Sequence, residues 1–383
     1  MGDMSRIAIA GYGATEYVKR TERPLLSFMA EAGRKALASA GLEKDAIDGL
    51  ALCSFELPPD NAVTVAEQFG LSPSWAYLGT AGGAGPVASV LNAARAIEAG
   101  HATAVLCIAG DAYDVAGLFK LLDNFGLALS NYGTPNGFGG ANGLFGIIQR
   151  KHMETYGTTR AQLGRIAVDQ RANASRNPDA LLRGPMTLDD YLGARVIADP
   201  IHLYDCVLPC AGAEAVVVTS ADRSPAGKGV RILSGYERHN HPAGEISPLR
   251  GGWETYRDLL WSEAGYGPAE MDFVQAYDDY PIMVAIQLED HGFCEKGNVG
   301  PFLEAHKLTW DGTLPLNTGG GQLSCGQCGA GGGMIGLVEA VRQLRGEGED
   351  RQVHKADRGL VSGYGMVGYG HGLASSSIVL ERA

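Results

Sequence analysis

The sequence predicts an α/β fold built of two similar halves, and three observations carry that expectation. First, GPVASVLNAARAIEAG at 85–100 and GGMIGLVEAVRQLRG at 332–346 share a small-residue start, apolar residues at helical spacing and a glycine exit. Second, each follows a glycine-rich stretch and precedes an apolar strand closing in glycine. Third, strand-like apolar runs alternate with helical patterns along the chain, which is how layered α/β structures read.

Taken in order, SRIAIA at 5–10 reads as a buried strand ending at Gly11 and Gly13. The GYGATE that follows lacks the third glycine of a dinucleotide fingerprint, and no helix starts at once. Residues 24–40 form an amphipathic helix stopped by Gly41, and 47–55 supply the next strand. GGAGP at 82–86 leads into the first echoed helix, with Pro86 suited to its first turn. A strand at 103–109 follows. An insert over about 114–204 starts loop-like and then shows helical stretches at 145–156, 160–174 and 188–198. Inserts of this size in α/β enzymes commonly shape the substrate pocket. The sheet resumes at 215–219, and the second half opens with the strand 230–234. Two units are therefore expected, 1–225 with its inserted loop domain and 226–383.

The composition bounds the function. A chain of 383 residues exceeds one small core, and 45% hydrophobic with 19% charged residues suits a compact enzyme, not a disordered chain. The net charge of −12 argues against a nucleic-acid partner, although a local basic patch suffices for an anionic small ligand. No apolar run is long enough for a membrane span, and the start lacks a secretory pattern, so a cytoplasmic protein is expected. Seven cysteines fit free thiols in a reducing compartment. Cys325 and Cys328 form a CxxC without a second pair at zinc-finger spacing, so buried thiols are expected there and no metal.

The stretch LPLNTGGGQLSCGQCGAGGG at 314–333 is too glycine-rich for one regular element and feeds the second echoed helix. Backbone N–H groups and a helix dipole at such a place stabilise charge developing on a substrate oxygen. The alternative is a tight turn between packed elements.

These segments together resemble the thiolase superfamily, in the branch related to sterol carrier protein x and bacterial lipid-transfer proteins. The matches run in order as IAGYGATE (9–16), AGLEKDAIDGL (40–50), RANASRNPDA (171–180), LYDCVLPCAGAEAVVV (203–218), LEDHGFCEKG (288–297), LPLNTGGGQLSCGQ (314–327) and VRQLRGE (341–347). The resemblance implies a duplicated βαβαβαββ fold in five layers, αβαβα, with an inserted loop domain. It also implies coenzyme A thioester substrates and a homodimer.

It further implies where the chemistry sits, and there the sequence departs from the family. The nucleophilic cysteine position falls near Gly83, in GTAGGAGP, which offers no thiol. The Gly-His-Pro motif corresponds to Gly326-Gln327-Cys328, the second acid/base cysteine to Tyr364, and the opening residue of the other catalytic loop to Tyr277 in AYDDYP. An acyl-enzyme needs an activated nucleophile. Cleavage that keeps only the thioester enolate needs an oxyanion hole and a proton-transfer pair.

The chain thus resembles steroid side-chain aldolases of the superfamily, which perform retro-aldol cleavage of a 3-hydroxyacyl-CoA. The implied catalytic residues are Tyr277, Tyr364 and Gln327, each phenol exchanging a proton if its pKa is lowered locally. Gly83, Gly326, Gly365, Asp278 and His371 are the implied substrate-binding residues. Asp278 and Asp279 either orient Tyr277 or sit in a polar loop, and His371 has a structural role as its alternative. His291 and His354 are expected to be structural and surface residues. No cofactor is expected in the chain itself, since coenzyme A arrives as part of the substrate. A small partner joining a zinc ribbon to an OB-fold is implied as well. Two other readings are a non-catalytic subunit and an acyltransferase with a displaced nucleophile such as Cys325 or Cys328.

Overall fold

The computed structural model describes residues 4–58, 61–117, 129–137, 140–245, 247–367 and 372–383. Strand β1 (Ile7–Ala14) does not stop at its glycines but runs through them. The reason lies in helix α1 (Leu25–Ala40), which rests directly on the strand backbone. A Cβ at Gly11 would stand 2.4 Å from the Ala40 N, and one at Gly13 2.3 Å from the Ala32 O. These glycines serve close helix–strand packing, not a phosphate. Gly41, at φ 65°, ends α1 in the left-handed conformation that glycine adopts without strain.

Strand β2 (Gly49–Cys53) is shorter than expected, and α2 (Asn61–Phe69) and β3 (Trp75–Leu78) complete the edge. A tight 3-10 turn, Gly82–Ala84, then opens α3 (Gly85–Glu98), with Pro86 in its first turn, and β4 (Ala104–Ala112) follows. The insert contributes α4 (Gly140–Tyr156), α5 (Arg160–Ala174) and a short α6 (Leu188–Leu192). Thr159 caps α5 reciprocally with Gln162. The helix expected over 188–198 ends at Leu192. Residues after Gly193 instead form the hairpin β5 (Val196–Ala198) and β6 (Ile201–His202), because Pro200 cannot continue a helix.

The second half repeats the plan with β7 (Ala211–Ser220) behind it. It runs β8 (Val230–His239), α7 (Trp253–Ala264), β9 (Phe273–Ala276), α8 (Pro281–Asp290), α9 (Val299–Ala305), α10 (Gly321–Cys325), α11 (Gly332–Leu344), β10 (Arg358–Val367) and β11 (Gly372–Arg382). Again a 3-10 turn, Gly329–Gly331, opens the echoed helix α11.

The sheet order is β3-β2-β4-β7-β1-β8-β11-β10-β9. Read outward from the junction, β1-β7-β4-β2 matches β8-β11-β10-β9, and β2 on β4, like β9 on β10, is parallel. A parallel bridge from Val274 to Leu316 stands where β3 stands in the first half. Within the sheet, β1 and β8 pair at Ala8–Arg231 and Ile9–Val230 among the described residues.

Helices α3 and α11 touch each other and strands of both halves, α1 covers the outer face of the first half, and α7 packs on β8 and β11 of the second. The layers are αβαβα, as expected. Leu91 and Leu337 are fully buried in the middle layer, each such side chain contributing about 1.5–3 kcal/mol. A Cβ at Gly235 would come 2.3 Å from the Leu91 Cδ2, so α3 sits on β8 as closely as the backbone permits.

Candidate active site

The duplicated layers bring two glycine turns face to face. A Cβ on Gly333, at the start of α11, would lie 2.1 Å from the Gly83 O in the turn before α3. A Cβ on Gly83 would lie 2.0 Å from the Tyr277 Cε2, 2.2 Å from its Cζ and 2.4 Å from the Tyr364 O. A Cβ on Gly365 would lie 2.5 Å from the Gly83 N. The structure therefore gathers Gly83, Tyr277, Tyr364 and Gly365 at one point. The Tyr277 ring fills the volume that any side chain at residue 83 would need. The positive end of the α3 dipole lies at the same place.

Tyr277 follows β9 and is held on every side. Its N–H bonds the Ser362 O at 3.2 Å, and its own carbonyl accepts from the Gln287 Nε2 at 2.7 Å. Asn317, at φ 46°, clasps the preceding residue: its Oδ1 accepts from the Ala276 N and its Nδ2 donates to the Ala276 O. The ring is 7% exposed. Burial pushes the hydroxyl pKa far up, Asp279 and Asp278 push it further, and a hydrogen bond from the Gln327 side chain opposes them. The locally lowered pKa expected from the sequence is thus reversed for Tyr277. A phenol so placed keeps its proton at neutral pH.

Tyr364, on β10, is 1% exposed. Its ring lies 6.3 Å from that of Tyr277, 6.1 Å from Phe145 on α4 and 5.8 Å from Trp253 on α7, by centroids. The insert thereby supplies one wall of the site. Tyr280 stacks on Phe145 at 4.1 Å and donates its hydroxyl to the Asn142 Oδ1, so it packs and bonds locally.

Gln327 is fixed through its backbone, donating to the Leu208 O and accepting from the Cys210 N. Its Oε1 is buried with no partner among the described residues. Gly326, at φ 111°, uses its N–H on the Gln322 O, and a Cβ there would stand 2.8 Å from the Cys210 Sγ. It is a turn glycine whose amide is already committed. Asp278 is committed too: its carboxylate accepts from the Gln322 and Leu323 N–H groups and ties the Tyr277 loop to α10. The Asp279 Oδ1 is buried without a partner among the described residues. His371 lies outside the described residues.

The remaining candidates resolve simply. His291 is buried between the Gln287 O and the Ser377 Oγ, and burial pulls its pKa down to about 4, so it is a neutral structural ring. His354 is exposed. Cys325 donates to the Gly319 O at 3.0 Å, and burial raises the pKa of both Cys325 and Cys328 well above that of a free thiol. Neither forms the thiolate that a displaced nucleophile requires. Among the described residues no group of three or more His, Cys, Asp or Glu is arranged around a metal site.

One residue escaped the sequence reading. Tyr113 directly follows β4, is 6% exposed, and shares its electrostatic surroundings with Asp111, Cys328 and Tyr277. The available signal was its place just past the C-terminal end of a parallel-paired strand, where α/β sheets put their sites.

The chain is similar in sequence and fold to known proteins. The family described as "Thiolase C-terminal domain-like" matches residues 260–382. A steroid side-chain-cleaving aldolase of Thermomonospora curvata is 33% identical, over 88% of this chain and 90% of its own length. A 17-hydroxy-3-oxo-4-pregnene-20-carboxyl-CoA lyase of Mycobacterium tuberculosis is 32% identical, over 88% of this chain and 91% of its own. The solved structure titled "Ltp2-ChsH2(DUF35) aldolase" superposes with a TM-score of 0.84 at 28% identity, covering 99% of this chain and 98% of that one. With the thiolase layers intact, the chain belongs to the thiolase superfamily, in its branch of aldolases that cleave acyl-CoA thioesters.

Proposed function

We propose that this protein catalyses retro-aldol cleavage of a 3-hydroxyacyl-CoA, with a steroid side-chain thioester as the substrate class. The observation that carries the reading is the Tyr277 ring standing 2.0 Å from where a Gly83 Cβ would be, which leaves no room for an acyl-accepting thiol. The names of the two relatives support the steroid.

In the mechanism, the 3-hydroxyl gives its proton to Tyr364 while the Tyr364 phenol passes its own toward Tyr277. The O–H electrons form the C3 carbonyl, the C2–C3 bond breaks, and its pair becomes the thioester enolate. Tyr277, kept protonated by its buried setting, gives its proton to C2. The proton from Tyr364 replaces the one that Tyr277 gives up, so both phenols end protonated. Gln327, Gly83 and Gly365 steady the enolate oxygen. The products are a ketone or aldehyde and a shorter acyl-CoA, and the atoms balance without a cofactor in the chain.

The two units are read as 1–225 and 226–383. A homodimer in the cytoplasm is our reading of the assembly. A small zinc-ribbon/OB-fold partner is part of it, supported by a structural neighbour whose title pairs Ltp2 with ChsH2 (DUF35). Among the described residues no helix is long and apolar enough to cross a membrane.

The test is to supply the purified protein, with partner if required, with a panel of 3-hydroxyacyl-CoA thioesters and no free coenzyme A. Mass spectrometry should find the carbonyl product and the shortened thioester in equal amounts. Turnover only of a 3-ketoacyl-CoA, and only with added coenzyme A, would return the protein to the thiolases.

A further inference from the structure

A third phenol shares the electrostatic surroundings of Tyr277. Tyr113 emerges from the end of β4, and its hydroxyl is buried without a partner among the described residues. A buried orphan hydroxyl is costly, and native proteins rarely keep one that nothing satisfies. Its obvious neighbour does not satisfy it. The Asp111 carboxylate already accepts from the Ser54 hydroxyl, the Phe55 N–H and the Ala330 N–H. Those bonds fix the end of β4 to the turn before α11, which sets Tyr113 relative to Gln327 and Cys328. The Gln327 Oε1 is a second buried polar atom without a partner among the described residues, and the same side chain hydrogen-bonds Tyr277. An unfilled donor and an unfilled acceptor near one phenol fit a ligand that carries both kinds of group. A 3-hydroxyacyl thioester does so, with a carbonyl oxygen that accepts and a hydroxyl that donates.

Resting on the retro-aldol reading, we infer that Tyr113 is a third substrate-contacting phenol, donating its hydroxyl hydrogen to the thioester oxygen as that oxygen gains enolate charge. Desolvation and the Asp111 carboxylate keep Tyr113 protonated, as a donor must be. The residue comes from the first half while Gln327 comes from the second, so the substrate would be held from both sides of the duplication, its thioester oxygen by Tyr113 and its hydroxyl by the Gln327 Oε1.

The experiment compares wild type with Tyr113→Phe as full chains, with the partner if the wild type needs it. For Tyr113→Phe we expect kcat/KM on a 3-hydroxyacyl-CoA to fall by about 10²–10³-fold, the usual loss for one oxyanion donor. The ligand-free thermal midpoint should be unchanged or higher, because the variant removes an unsatisfied buried group. Calorimetry with a saturated acyl-CoA lacking the 3-hydroxyl should show weaker binding by the variant. Unchanged kcat/KM in an otherwise active protein overturns the inference and leaves the aldolase reading standing. A clearly lowered thermal midpoint marks the hydroxyl as structural and also overturns it. If the wild type cleaved no 3-hydroxyacyl-CoA, the aldolase reading would fall, and equal acyl-CoA affinity in the two proteins would decide against Tyr113 separately.

Discussion

The two glycine turns that open α3 and α11 are built alike and used differently. In the first, Gly82–Ala84, Gly83 presses on the Tyr277 ring and its N–H lies beside Gly365. In the second, Gly329–Gly331, the amides face inward. The Ala330 N–H goes to Asp111 and the Gly331 N–H to the Cys328 O, and a Cβ on Gly329 would stand 2.0 Å from the Asp111 Oδ2. One copy stands against Tyr277 and Tyr364, and the other fastens the halves together. Local sequence made both turns, but what packs across from each sets them apart.

The sharpest way to break this contrast is to remove the phenols at the first turn. Tyr277→Phe or Tyr364→Phe should cut turnover by about 10²–10⁴-fold, with circular dichroism and thermal midpoint near wild type. Full rates in both variants would end the assignment.

Next in size is a pair of glycine substitutions. Gly83→Ala drives a methyl into the Tyr277 ring and should cost about 1–3 kcal/mol of stability by overpacking, with activity falling even in the folded fraction. Gly329→Ala, at φ 60°, collides with Asp111 and should lose comparable stability, while the folded fraction keeps most of its activity. Denaturant unfolding beside active-fraction kinetics separates the two. Equal loss of specific activity would erase the distinction between the turns.

Much of this was legible beforehand. The echo of GGAGP in GAGGG gave the duplicated helices, and the helical stretch expected at 160–174 is α5. What failed were features set by distant partners. Gly11 and Gly13 looked like a strand end because the helix resting on them starts more than ten residues away. The apolar run after Leu192 reads equally well as helix or hairpin until Pro200 is placed in a turn. Tyr113 looked like any aromatic after an apolar strand, and only the fold shows its hydroxyl without a described partner. The direction of the Tyr277 pKa shift follows from burial, which no motif encodes. The glycine stretch at 314–333, expected to offer its amides to substrate, uses many of them internally.

A smaller effect concerns Asp111, the carboxylate that anchors the second turn. Burial raises its pKa from 3.8 to about 7 in the folded protein. The native state therefore binds the proton more tightly than the unfolded chain does. Its contribution favours folding at low pH, declines as pH rises from about 4 to about 7, and is constant above that. The thermal midpoint of Asp111→Asn should show less of this decline than wild type over that window. An identical pH profile in the two proteins would mean that Asp111 does not titrate as described.

The smallest effect is expected at Cys328, a fully buried neutral thiol. Cys328→Ala should cost about 1 kcal/mol of stability and leave turnover within a fewfold of wild type. Abolished activity in a folded protein would revive a thiol mechanism.

Most directly of all, the account can be tested by intact-protein mass spectrometry during turnover of a 3-hydroxyacyl-CoA in the absence of free coenzyme A. Carbonyl product and shortened thioester should accumulate in step while the protein mass stays that of the unmodified chain. An acyl adduct on any cysteine, or no product until free coenzyme A is supplied, would contradict it.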